Sequence, residues 1–376
     1  MQHRYFGSTG VSVSILGYGA MRLPTRTGGK VDLDRAVPLL RRGIDLGINY
    51  IDSAHMYIRG TSEVAVGVAI KSYERESLYL ATKIQIGSSY ANDAVSWLHK
   101  LDKSLRRLDT PYIDFIYFHD FGWRKFQDYV AGRGKILKAA RRVQAQGLVR
   151  HICFSSHDSV TNVIKLIDTG EFEGLLLQYN YLDRHNTPAI ARAAEKGMGV
   201  AIMGPLAGGR LVRRGVGGSG KGHGPAVSPA QLGLRFVWSN PCVSVALSGM
   251  NALDQIEENA ATADQPEMSD AELAQVQPLV EQSKSLADLY CTGCGYCMPC
   301  PNGVDIPGNF EVYNQGRMFD QLDRARQAYD ASIAEEARAS ACIQCRECEE
   351  KCPQNIRISE WMPRVHAVLG EGQPYP

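Results

Sequence analysis

Short, almost unbroken apolar runs recur along the front of the chain, and each is followed by a longer stretch whose apolar residues return every three or four positions. The runs are "SILGYG", "INYID", "SLYLATK", "YIDFIYFH", "VRHICFS", "LLLQYN", "GVAIMG" and "VSVALSG". The helical stretches are 32–46, 61–71, 92–107, 134–146, 158–168, 187–196, 228–239 and 251–261. This predicts eight strand–helix units. Strands apolar on both faces are those of a parallel sheet covered on both sides. Ahead of them, "HRYF" and "VSVS" flank "GSTG", the pattern of a β-hairpin.

An open doubly wound sheet would carry Gly-x-Gly-x-x-Gly after its first strand. Here Gly17 and Gly19 are followed by Arg22 where the third glycine should stand. Eight units over about 250 residues instead match a (β/α)8 TIM barrel. Ser269 and Glu272 form a capping box that predicts a helix over about 270–285. Its end divides the chain into a barrel, 1–285, and a small, mainly helical domain, 286–376, with a helix-like stretch at 309–339. The glycine-rich, basic segment "AGGRLVRRGVGGSGKGHG" (207–224) predicts a mobile loop, with simple flexibility and a flap in which Arg210 meets a cofactor phosphate both open.

Of the 376 residues, 41 are Lys or Arg and 40 Asp or Glu, for a formal charge of +1. That balance gives no electrostatic case for nucleic acid or a membrane surface as partner. The opening "MQHRYFGSTG" lacks a signal-peptide pattern and no apolar run is long enough to span a bilayer, so a cytoplasmic protein is expected. In a reducing compartment, ten cysteines predict metal ligands rather than disulfides.

Chemistry on a barrel of this kind sits at the C-terminal ends of the strands. Those ends supply Asp52, Lys83 and His119, and Tyr57 follows in the loop "SAHMY". A phenol ordinarily titrates near 10, and an adjacent ammonium favours its ionised form. Asp52 would hold that ammonium in place, and His119 would hydrogen-bond a carbonyl oxygen.

The stretches "GINYIDSAHMY", "ATK", "DFIYFHD", "QYN" and "LSGMNALDQIEEN" resemble, in order and spacing, those of the aldo-keto reductase family. The resemblance implies an eight-stranded barrel that reduces aldehydes and ketones with NADPH or NADH. It places the family's tetrad on Asp52, Tyr57, Lys83 and His119, with Tyr57 as the proton donor. It also implies nicotinamide contacts at Ser155, Ser156 and Gln178, with Gly204, Leu206 and Arg210 beyond them. The adenosine-phosphate segment would fall on Ser248, Gly249, Met250, Gln255, Glu258 and Asn259. Three positions depart from the family pattern. Ser156 stands where asparagine is frequent, Met203 where many members stack an aromatic ring, and Ser248–Asn259 lacks the usual Lys and Arg. These departures leave NADP and NAD both open and also admit flavin.

Eight of the ten cysteines lie in the tail. "CIQCRECEEKCP" has the bacterial ferredoxin spacing, and "CTGCGYCMPCP" falls one residue short of it. The fourth cysteine of such a run ligates the other cluster. Two [4Fe–4S] clusters are therefore expected, one on Cys291, Cys294, Cys297 and Cys352, the other on Cys342, Cys345, Cys348 and Cys300. Tetrahedral zinc is the competing reading. The long insert between the groups resembles helical ferredoxin modules of multisubunit dehydrogenases. Cys153 and Cys242 fall in strand candidates and are expected in the core.

The expected function is carbonyl reduction, with the clusters relaying electrons, to a ferredoxin-like partner for example, or stapling the tail. The alternative is a redox sensor or electron-transfer adaptor that uses the barrel to bind nucleotide without turnover. Trp123, Phe121 and Arg22 are expected near the mouth, with pocket-lining and packing both open.

Overall fold

The computed structural model describes every residue except 88–89, 213–227, 275, 277–288, 290, 292 and 319–320, together with the side chains of Arg210 and Met318. The chain forms two compact units, Met1–Pro205 with Ala230–Ser269, and Leu206–Pro229 with Asp270–Pro376.

The first unit is the barrel. A hairpin, β1 (His3–Tyr5) against β2 (Ser12–Ser14), precedes a closed ring of parallel strands. These are β3 (Leu16–Gly19), β4 (Tyr50–Asp52), β5 (Tyr79–Gln85), β6 (Ile113–His119), β7 (Val149–Ser156), β8 (Gly174–Gln178), β9 (Gly199–Met203) and β10 (Val245–Ser248). β10 closes on β3, with Ser248 opposite Tyr18. The covering helices begin where the periodicity places them. Asp93 accepts from the Ser96 amide in a capping box, and Ser159 caps the helix Val160–Asp168.

The hairpin closes the end where the strands begin. Phe6 is fully buried, its ring centroid 4.6 Å from that of Phe115. A Cβ on Gly174 or Gly199 would come within 2.4 Å or 2.0 Å of the Phe6 ring, so only glycine admits this plug. Above it, Tyr50 and Tyr117 share a hydrogen bond of 2.7 Å across the barrel interior. They sit two residues below Asp52 and His119 on their strands, so their side chains share a face with the site and form its floor.

Several expectations change. Cys153 is a core residue, but Cys242 lies in a turn before β10 and is only partly buried. Phe121 packs among Phe118, Phe126, Phe154 and Phe172 and is core rather than mouth. The capping-box helix is seen over 270–274, and the remainder lies largely outside the described residues. Within 207–224, residues 207–212 form a tight turn with Ala207, Gly208 and Gly209 left-handed, and the rest of the loop lies outside the described residues.

In the second unit the stretch expected as one helix is two, Ile306–Met318 and Leu322–Ser332, followed by 3-10 turns. A further helix, Ile358–Leu369, follows the second cysteine group. Phe310, Tyr313, Tyr329, Met362 and Val365 form the core. Asn309, wholly buried, ties it together. Its amide donates to Asp305 O at 2.6 Å and Ala337 O at 2.9 Å, and its oxygen accepts from Ala339 N at 2.7 Å.

Candidate active site and cysteine cavities

Four side chains predicted from separate strands and loops meet at the rim of the barrel. Lys83 donates to Asp52 Oδ2 and, at 2.7 Å, to Ser53 O. Its ammonium lies 4.7 Å from the centroid of the Tyr57 ring. The Tyr57 and His119 rings meet edge to face, with centroids 5.7 Å apart. Asp52, Lys83 and His119 are buried, whereas Tyr57 is partly exposed. The Tyr57 ring thus lies against the buried ion pair and keeps part of its surface open to solvent.

Burial sets the electrostatics. It lowers Lys83 and raises Asp52, and each partner's charge opposes that change. Burial also pulls His119 well below the ordinary histidine value, reinforced by Lys83, so its imidazole is neutral near pH 7. A neutral imidazole can donate one N–H to a carbonyl oxygen without adding charge.

The loop carrying Tyr57 is tightly held. Ile58, Arg59 and Gly60 follow it in succession with φ of 49°, 57° and 80°. A left-handed β-branched residue such as Ile58 is strained and persists only where its surroundings demand it. Arg107 supplies part of that demand: its guanidinium donates to His55 O at 2.8 Å and pairs with Glu63 at 3.3 Å. A Cβ on Gly60 would stand 2.5 Å from Arg107 Nη1. Glu63 is wholly buried and accepts from Thr82 Oγ1 at 2.6 Å, next to Lys83. Burial raises its carboxyl, and its hydrogen bonds oppose the shift. Sequence reasoning missed Glu63 and Arg107. The available signal was one acidic residue inside the otherwise apolar helix "TSEVAVGVAI".

The residues expected around a cofactor occupy neighbouring strand ends. Ser155 and Ser156 end β7, where their hydroxyls accept from the Asp120 amide at 3.2 Å and the Asp158 amide at 3.1 Å. Gln178 ends β8, and a Cβ at Gly204 would come within 2.6 Å of its amide, so the left-handed glycine permits this approach. Ser248 ends β10 and accepts from Asn259 Nδ2 at 3.1 Å. Gly249 lies against the Arg22 side chain, Met250 O accepts from Tyr18 at 2.8 Å, and Gln255 Oε1 accepts from Asn251 N at 2.9 Å. Glu258 is half-buried on the helix Leu253–Thr262. Leu206 belongs to the second unit and opens its left-handed turn, and the side chain of Arg210 is outside the described residues. Trp123 stacks on Phe126 with centroids 5.5 Å apart. Beside His119 lie further groups that the sequence reading passed over: Lys125, bound to Asp120 O at 2.6 Å, and His157.

The cysteines surround two cavities. Cys291, Cys294, Cys297 and Cys352 line one, and Cys300, Cys342, Cys345 and Cys348 line the other. Each holds three cysteines from one group and the last from the other. Ile306 and Ile358 line both cavities and form a shared wall. Among the described residues no three His, Cys, Asp or Glu side chains converge as on a single ion. Sulfurs spread around a cavity fit a cubane better than one tetrahedral zinc. Burial, aided by the like charges of Cys294, Cys291 and Cys352, pushes the Cys297 thiol up to about 12. Four crowded thiolates need a compensating cation, which iron would supply.

Residues 15–225 match the aldo/keto reductase family and residues 290–356 the 4Fe-4S dicluster domain. The chain belongs to the aldo/keto reductase family and is an NAD(P)-dependent oxidoreductase carrying a C-terminal ferredoxin-type domain. It is 25% identical to the "Uncharacterized oxidoreductase YqkF" of Bacillus subtilis over 75% of this chain and 97% of that protein. It is 27% identical to L-galactose dehydrogenase of Arabidopsis thaliana, over 75% and 95%, and 26% identical to a probable voltage-gated potassium channel subunit beta of Oryza sativa, over 76% and 98%. Among solved structures, aldo-keto reductase AKR11C1 from Bacillus halodurans in its holo form superposes with a TM-score of 0.64. It is 25% identical, over 74% of this chain and 96% of that one. No helix among the described residues is long and apolar enough to cross a membrane.

Proposed function

We propose that the barrel reduces a small aldehyde or ketone, with Tyr57 as general acid. The observation that carries this reading is the stacking of Tyr57 over the buried Lys83–Asp52 pair, beside a neutral His119. A bound NADH or NADPH supplies the hydride. The residues do the remainder. His119 orients the carbonyl oxygen, Tyr57 delivers the proton, and Lys83 stabilises the phenolate left behind. Ser155, Ser156 and Gln178 are assigned to the nicotinamide amide, with Gly204 beside it. Ser248, Gly249, Met250, Gln255, Glu258 and Asn259 are assigned to the adenosine end. That last stretch contains Asp254, Glu257 and Glu258 but no Lys or Arg, so it offers no cation to a 2′-phosphate. Arg22, over Gly249, is the side chain to test for that role.

In the tail the proposal is two [4Fe–4S] clusters with the exchanged ligand sets given above, serving a ferredoxin-like electron partner in the cytoplasm. The two cavities, each walled by the predicted four cysteines, support it. The test is anaerobic turnover of NADH and NADPH against a panel of aldehydes, with iron analysis, for the wild type and Tyr57→Phe. Activity indifferent to that change would defeat the catalytic reading. A second reading, nucleotide binding without turnover, is favoured by the relatives described as channel subunits. It would be adopted if coenzyme binds and no aldehyde is reduced.

A further inference from the structure

The two cysteine groups align position by position: Cys291 with Cys342, Cys294 with Cys345, Cys297 with Cys348. The positions flanking the middle cysteine are left-handed in both. In the first group they are Gly293 (φ 66°) and Gly295 (φ 76°), and in the second they are Gln344 (φ 60°) and Arg346 (φ 66°). Glycine adopts this backbone freely, whereas glutamine and arginine are strained in it. Side chains are therefore kept where glycine would relax the chain, and both line the second cavity.

The walls differ accordingly. Around the first cavity, Gln354 is the polar side chain among Ile306, Phe310, Ile356, Ile358 and prolines. Around the second stand Asn302, Gln344, Arg346 and Ser359. Gln344, Cys345 and Arg346 are all exposed, whereas of their counterparts Gly293 is exposed and Cys294 and Gly295 are partly buried. Glu349, whose charge is felt at Cys342 and Cys348, opposes Arg346. Its carboxylate already accepts from Ser359 N at 2.7 Å and lies near Arg346 and Arg357. Reduction adds negative charge to a thiolate-ligated centre, so water, hydrogen-bond donors and a cation favour it, and an apolar wall opposes it.

We propose that the site on Cys342, Cys345, Cys348 and Cys300 is where an electron entering the tail comes to rest, because Arg346 and Gln344 stand where the other site has glycine. The donor is a one-electron carrier such as a reduced ferredoxin-type protein. One electron leaves it and one is taken up, and no covalent bond forms or breaks. The shared wall of Ile306 and Ile358 makes the first site its neighbour of lower potential. This inference rests on the two-cluster reading above.

The test is a redox titration of the anaerobic full-length protein with dithionite and mediators, followed by electron paramagnetic resonance, after iron analysis. Fewer than about eight irons per chain would overturn the two-cluster reading itself. With that iron content present, Arg346→Gly should lower the higher midpoint and leave the lower one in place. The expected change is about tenfold in the ratio of reduced to oxidised site at fixed potential, about 59 mV for one electron. Glycine suits the backbone at 346, so this variant retains the fold. Gly295→Arg, at a position with nothing within 4 Å of a Cβ, should raise the lower midpoint. Glu349→Gln should raise the higher one. A single midpoint for both sites, or movement of the lower wave in Arg346→Gly, would overturn the assignment.

Discussion

The Lys83 ammonium lies 4.7 Å from the centre of the Tyr57 ring, held there by a carboxylate from another strand. Residue 57 reaches this position through three consecutive left-handed residues, 58 to 60. The Tyr57 phenol is thus set by a strained turn over a buried ion pair.

Removing only the phenolic oxygen tests that arrangement. Tyr57→Phe should lower kcat by about a hundredfold to ten-thousandfold, the usual range for a general acid. Coenzyme affinity, followed by fluorescence titration, should stay near the wild-type value.

The ion pair should behave as a unit. Lys83→Met leaves Asp52 buried and unpaired, at a cost of about 3–5 kcal/mol in denaturant unfolding. Among the described residues Asp52 Oδ1 has no hydrogen-bond partner. Combining Lys83→Met with Asp52→Asn should recover most of the stability and none of the turnover.

Acid should destabilise the barrel through its histidines. Burial, helped by Arg107, holds His55 at about 4 against an ordinary 6.5. In that window the unfolded chain binds a proton that the folded chain refuses, so stability falls as pH drops from about 6.5 towards 4. His119 acts in the same direction. Melting temperatures recorded against pH should show a shallower acid slope for His55→Asn than for the wild type.

The crossing of ligands between cysteine groups makes its own prediction. Cys352→Ala should abolish the same paramagnetic signal as Cys294→Ala, although 58 positions separate the two residues. Cys300→Ala should instead match Cys345→Ala. Pairing of Cys352 with Cys345 in this assay would contradict the cavity linings.

Much of this was legible in the sequence because the signals were local. The strand runs placed Asp52 and His119 at strand ends, while Lys83 lies two residues inside the end of β5, and the cysteine spacing matched the ferredoxin-type domain of the tail. What escaped was set by tertiary contacts. Arg107 reads as an ordinary surface cation of an amphipathic helix, yet it donates to His55 O beneath the Tyr57 loop. Phe121 sits in a loop by sequence, but four neighbouring rings draw it into the core. The non-helical Gln321, ahead of Leu322–Ser332, interrupts a stretch whose composition is helical throughout.

The exchanged sulfurs also bear on how the tail is made. Neither cavity has a complete wall until both ends of a segment more than fifty residues long have met. With the two clusters proposed above, a chain cut between the two cysteine runs should retain no iron at either place.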